Sequence, residues 1–210
     1  MKRILYFTAL LLCLVSCKQE DEVVEEFPSW AEQNDVYFAQ LTADTQAKIA
    51  AGDTSWELIA SYTKPTSGYA LHNYDHIIVK KVESSADMVS PLLSDTVEVH
   101  YVGRLKESAN VHRNLGLVFD RSFPGDYDAT TGTFRFDSET ATPVKFATSA
   151  VVNGFATALQ HMHKGDHWLV YIPYQLGYGN SAYSSIPAGS TLIFDLRLSE
   201  FWSKKRGDRD

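Results

Sequence analysis

Cysteine is almost missing from this chain. Its 210 residues hold two, Cys13 and Cys17. Both lie in the opening stretch, so the rest of the protein can form no disulfide and must be held by a packed core. A basic stripe is missing too: Lys and Arg number 19 against 26 Asp and Glu, for a net charge of −7. That sign repels nucleic acid, and none is expected as a partner. The apolar run from Ile4 to Val15 is too short to cross a bilayer. No serine sits in a nucleophile elbow, and no glycine-rich loop opens a helix to cradle phosphate. The seven histidines are dispersed. His161 and His163, two apart on a helix, point to different sides and cannot share a metal. Solvent-facing histidines are the simpler reading, and neither metal nor cofactor is expected. Hydrolytic and redox chemistry therefore have no candidate residues. What remains is 44% apolar content with 12% aromatics, the composition of one globular domain with an extension.

The opening residues 1–17 read as a leader. Lys2 and Arg3 precede the apolar run, which ends in "LVSC" at Cys17. This ending resembles the bacterial lipobox, in which the cysteine is acylated and becomes the mature terminus. An ordinary secretory leader with a chance cysteine is the alternative. Residues 18–27 are acid-rich and are expected to be a solvated tether. They resemble the acidic export signal of Bacteroidetes surface lipoproteins. An outer-membrane lipoprotein follows, facing the periplasm or the cell surface, with its only membrane contact through the lipid on Cys17.

Residues 28–75 are expected to form a helical extension and linker. Ser29 and Glu32 have capping-box spacing, Trp30, Tyr37, Phe38 and Leu41 share a face, and Gly52 is a stop signal. "TSWELIASY" predicts a short second helix, and "TKPTSG" a turn. The apolar stripe suits packing on the following domain or pairing of two copies as a homodimer. From residue 76 the period changes to two. "HIIVKKVE", "DTVEVHYVGRL", "GLVFDRSF", "HWLVYIP" and "STLIFDLRLSEFW" read as strands. "GTFRF" suggests a local hairpin. One helix is expected in "VVNGFATALQHMHKGD", with Val152, Phe155, Ala158, Leu159 and Met162 on one face. Antiparallel-looking strands with one late helix define an α+β domain over 76–202, followed by a polar tail, 203–210.

Aromatic and aliphatic residues recur at strand ends and loops of this domain, above all in "YIPYQLGYGNSAYSSIPAGST". In series, "VEVHYVGRL", "GLVFDRSF", "PVKF", "VVNGF", "ALQHMHKGD", "YIPYQLGYG" and "IPAGSTLIFDLRL" resemble the FKBP-type peptidyl-prolyl cis-trans isomerases. The resemblance implies a twisted antiparallel sheet wrapped around one short α-helix. It implies catalytic roles for Tyr101, Phe119, Asp120, Phe155, Tyr178 and Phe194, and substrate contacts from Val144, Val151, Val152, Tyr183 and Ile186. Phe155 stands where the family archetype has a pocket-floor tryptophan, Val144 where an aromatic is common, and Tyr183 near a frequent histidine. Arg135, in the long polar segment after Asp120, is taken as the aspartate's partner. The implied partners are proline-containing unfolded or extended polypeptides and macrolides of the FK506 and rapamycin type. The implied activity is Xaa-Pro isomerisation, with a non-catalytic peptide-binding module as the alternative.

Overall fold

The computed structural model describes residues 25–65, 67–68 and 70–203. Cys17, the leader, residues 18–24 and the tail from 204 lie outside the described residues. Helix α1 (Trp30–Ala50) and strand β1 (Trp56–Ala60) precede β2 (His76–Glu83) and β3 (Thr96–Arg104). Then come β4 (Val118–Arg121), a small hairpin of β5 (Tyr127–Asp128) and β6 (Thr133–Phe134), and β7 (Val144–Ala147). Helix α2 (Asn153–Leu159), β8 (His167–Ile172) and β9 (Leu192–Trp202) complete the chain. Seven strands form one antiparallel sheet in the order β1-β2-β8-β9-β3-β4, with β7 paired to β3. This is the α+β architecture expected of the sequence.

Alternation along the strands decides what faces where. Val97, Val99 and Tyr101 of β3 and Leu192, Phe194, Leu196 and Leu198 of β9 enter the core beneath α2, beside Phe155, Ala158, Leu159 and Met162. The opposite face is covered as well. Ile78, Leu169, Tyr171 and Ile193 meet Phe38 of α1. Further along, Val102 meets Phe123 and Phe134 from the segment between β4 and β7. Every residue of β8 is buried in consequence.

Four sequence expectations are corrected. "WELIA" is not a helix but the edge strand β1. Its alternation sends Ile59 to the α2 side and Trp56 and Leu58 to the α1 side, which only a strand paired to β2 allows. The capping box at Ser29 does not form, because Ser29 lies in the left-handed region at φ 44 and makes no side-chain cap. Instead the Gln33 side chain donates to the Pro28 carbonyl at 2.7 Å. The acidic tether is not wholly solvated: Glu26 accepts from the backbone N–H groups of Val111 and His112 at 2.7 and 2.9 Å. Finally, His76, His100 and His167 are buried rather than solvent-facing.

Burial holds His76 and His100 below the ordinary histidine value of 6.5, with Arg197 adding to the effect on His100. Below that pH the unfolded chain binds protons that the folded chain refuses. The stability these two histidines contribute is therefore full above about pH 7 and falls on acidification. Urea titrations at pH 7.5 and 5.5 are expected to show a lower midpoint at the acid value. An equal or higher midpoint would contradict this assignment.

Candidate active site

At one end of the sheet, four strands, one helix and one loop deliver aromatic side chains to a single cavity of about 520 Å³. Tyr101 comes from β3, Phe119 and Asp120 from β4, Phe155 from the first turn of α2, and Phe194 from β9. Phe155, Phe194 and Tyr101 are almost fully buried. Phe155 meets Phe194 edge-on, with centroids 4.8 Å apart and planes at 81°. Phe119 meets Phe194 in the same way, at 5.6 Å and 86°. Edge-to-face packing suits rings whose faces are electron-rich and whose edges are not. It leaves a packed, apolar floor.

The polar groups sit at the rim. The Tyr101 hydroxyl donates to Asp120 Oδ2 at 2.6 Å, while Asp120 Oδ1 accepts from the Arg121 N–H at 2.8 Å. Burial, and then the hydrogen bond to Asp120, pushes the Tyr101 hydroxyl pKa up. Burial likewise raises that of Tyr178, with Tyr183 and Asp120 contributing. Both hydroxyls therefore stay protonated across the physiological range and remain able to donate. The ring of Tyr178 lies flat against that of Tyr183, at 4.3 Å and 6°.

The loop from Pro173 to Thr191 is closed on itself. The Gly179 N–H donates to the Tyr174 carbonyl at 2.8 Å, and the Gly189 N–H returns to the Gly179 carbonyl at 3.0 Å. Tyr183 and Ile186 exchange backbone hydrogen bonds at 3.0 and 2.9 Å around a tight turn. That turn carries Ile186, itself buried, into the lining of the cavity with Val151 and Val152.

Of the residues singled out from sequence, Tyr101, Phe119, Asp120, Val151, Val152, Phe155, Tyr178, Tyr183, Ile186 and Phe194 all line this cavity. Val144 does not. Phe146 takes that place, two residues along the same face of β7, with its ring 5.9 Å from Tyr101 and 6.4 Å from Phe155. The alternation in "PVKF" was the available signal: it puts Val144 and Phe146 on one face but not at one depth. Ala150, Ser184 and Ser185 also line the cavity and were not foreseen. Arg135 is not the partner of Asp120. It pairs with Asp126 at 3.4 Å on the surface, and Asp120 is held by Tyr101 instead. Among the described residues, no group of three or more His, Cys, Asp or Glu is placed to hold a metal ion. A second cavity of about 600 Å³, between α1 and residues 71–74 and 173–175, gathers none of these aromatic walls.

A twisted antiparallel sheet with an aromatic socket between its end and one short helix defines a domain built to hold a small apolar group with a polar neck. The sequence profile of the FKBP-type peptidyl-prolyl cis-trans isomerases matches residues 89–199, and the chain belongs to that family. It is 32% identical over 123 residues to the macrophage infectivity potentiator of Trypanosoma cruzi, covering 58% of this chain and 51% of that one. To the FKBP-type 22 kDa peptidyl-prolyl cis-trans isomerase of Escherichia coli it is 31% identical over 121 residues, covering 57% and 48%. The chain thus spans about half the length of these curated relatives. The crystal structure of a peptidyl-prolyl cis-trans isomerase from Pseudomonas syringae superposes with a TM-score of 0.53 at 22% identity, covering 83% of this chain and 96% of that one. That likeness supports the fold.

Proposed function

We propose that the protein is a peptidyl-prolyl cis-trans isomerase that assists the folding of exported proteins, anchored outside the cytoplasm by a lipid on Cys17. The observation that carries the activity is the convergence of Phe119, Phe155, Phe194 and Ile186 on one cavity that Tyr178 also lines. Support for the location comes from the leader, "LVSC" and the acidic stretch after it.

Rotation about an Xaa-Pro bond must break amide resonance, against a barrier of about 18–20 kcal/mol. No covalent bond forms, so the reaction needs no nucleophile, metal or titrating acid. Midway, the amide has lost its charge separation and is less polar than when planar. An apolar socket binds that form better relative to water, which is differential stabilisation of the transition state. Phe155 would support the proline ring from below, with Phe119 and Phe194 as walls. The Tyr178 hydroxyl and the Val152 backbone N–H would hold carbonyls of the peptide, and Asp120, fixed by Tyr101, would orient the rim. Suitable substrates are extended, proline-containing segments, whose uncatalysed exchange takes tens to hundreds of seconds. Macrolides of the FK506 and rapamycin type would compete for the same cavity.

A protease-coupled assay on a proline tetrapeptide, using the soluble chain from Lys18, tests this. Wild-type protein is expected to accelerate isomerisation well above buffer. Tyr178→Phe, which removes one neutral hydrogen bond, is expected to lower kcat/KM by about 2- to 12-fold. Wild-type turnover no faster than buffer would remove the enzyme reading. Macrolide binding without turnover would instead indicate a peptide-binding module.

A further inference from the structure

The segment from Glu26 to Asn34 lies outside the residues that match the family, yet it is bonded to the loop that carries Tyr178, Tyr183 and Ile186 and to the connection that leads into β4. The Trp30 indole N–H donates to Ser190 Oγ at 2.7 Å, and Ser190 Oγ donates to the Pro187 carbonyl at 2.6 Å. One helical turn on, fully buried Asn34 accepts the Thr191 N–H at 2.9 Å and donates to the Trp30 carbonyl at 2.7 Å. Gly189 sits at φ +73, so close to α1 that a Cβ there would lie 2.6 Å from the Ala31 methyl. These contacts fix the chain immediately after Ile186. At the other end, Glu26 accepts from Val111, His112 and the Ser108 hydroxyl. Those residues belong to the connection that leads into Phe119 and Asp120. Lys106 of the same connection lies 4.2 Å over the Trp30 ring and donates to Gln33 at 3.0 Å.

The geometry points to Trp30 as a positioning residue for the prolyl cavity: through Ser190 and the Pro187 carbonyl it sets the position of the Tyr183–Ile186 lip. The extension is then part of the binding site's frame rather than a spacer. This inference rests on the isomerase reading for its kinetic consequences, but the bonds themselves do not.

Trp30→Phe keeps a ring beside Phe27 and Lys106 and removes the N–H together with part of the buried ring, so Ser190→Ala, which leaves the indole in place, is the cleaner cut. Ser190→Ala cuts the same relay from the other side, and serves if the tryptophan variant folds poorly. Each is expected to raise KM about 3- to 10-fold with kcat nearly unchanged, the loss of one hydrogen bond's worth of positioning. The double variant is expected to be no worse than the worse single, because both break one chain of bonds. Ser190→Thr, which retains the hydroxyl, is expected to restore KM. A lowered melting temperature with wild-type KM in both singles would overturn the inference and leave Trp30 a core residue. Should the wild-type chain show no turnover, the isomerase reading fails. Titration with a macrolide of the rapamycin type then decides the positioning claim: Kd raised about 3- to 10-fold in the singles upholds it, and an unchanged or unmeasurable Kd overturns it.

Discussion

Asp195→Ala is expected to cost about 3–5 kcal/mol of folding stability. Asp195 is 2% exposed in the first half of β9. One carboxylate oxygen lies 2.6 Å from His167 Nε2 on β8, and the other accepts the Phe134 N–H at 2.6 Å. The first bond joins two central strands. The second ties the β5–β6 segment to the outer face of the sheet, where Phe134 packs on Val102. Alanine leaves a buried imidazole nitrogen and a buried N–H without partners at once, and each such orphan costs about 1–3 kcal/mol. Against a total stability of about 5–15 kcal/mol this is severe. Asp195→Asn keeps an acceptor for Phe134 and is expected to lose less. Urea denaturation measures both. A loss under 1 kcal/mol for the alanine variant would show that the pair does not hold the sheet's outer layer in place.

That network was invisible in the sequence for a physical reason. His167 and Asp195 are 28 residues apart, and nothing local to either records the other. The period-two alternation in "DTVEVHYVGRL" was legible at its start, where buried Val97 and Val99 alternate with the part-exposed Thr96 and Glu98 and so fix the register. "WELIA" was not, since five residues at a sheet edge acquire their meaning from pairing with β2. A polar tract such as residues 122–142 shows little beyond one local hairpin, but Phe123, Phe134 and Phe136 within it cover the part of the sheet's second face around Val102 that α1 does not reach. Buried histidines were missed for the same reason: the sequence does not announce that the sheet is covered on both sides.

The site was more legible than its surroundings, because its residues occupy strand ends and loop turns whose order along the chain is itself distinctive. The error at Val144 was one of depth, not of face. The bonds that hold the lip from behind, through Trp30 and Asn34, lay beyond reach, since a tryptophan on an apolar helical stripe reads as core whether or not its N–H does something further. Its 5% exposure agrees with that bland reading; the partner it chooses does not.

Gly103→Ala, a change of one methyl, is expected to lower kcat/KM by about 10- to 100-fold. Gly103 of β3 lies between Asp120 of β4 and Phe194 of β9 in the sheet register. The rings of Phe119 and Phe194 meet edge-on over the space that its missing side chain leaves open. A Cβ there would stand 2.6 Å from Phe119 Cε2 and Cζ and 2.8 Å from Phe194 Cε1. Carbon atoms pack at about 3.5–4.0 Å, so both walls must retreat by about 1 Å. They cannot retreat outward without disturbing Phe155, against which Phe194 is already packed at 4.8 Å, so they move into the cavity. A misplacement of about 1 Å in a preorganised site can cost a hundredfold in rate, whereas overpacking costs about 1–3 kcal/mol of stability. The variant should therefore remain folded while losing most of its catalysis, and macrolide affinity should fall with it. Urea midpoints and tetrapeptide kinetics on the same preparation check the two halves separately. Wild-type kcat/KM in a folded Gly103→Ala protein would mean that Phe119 and Phe194 do not form the walls against which the proline ring turns.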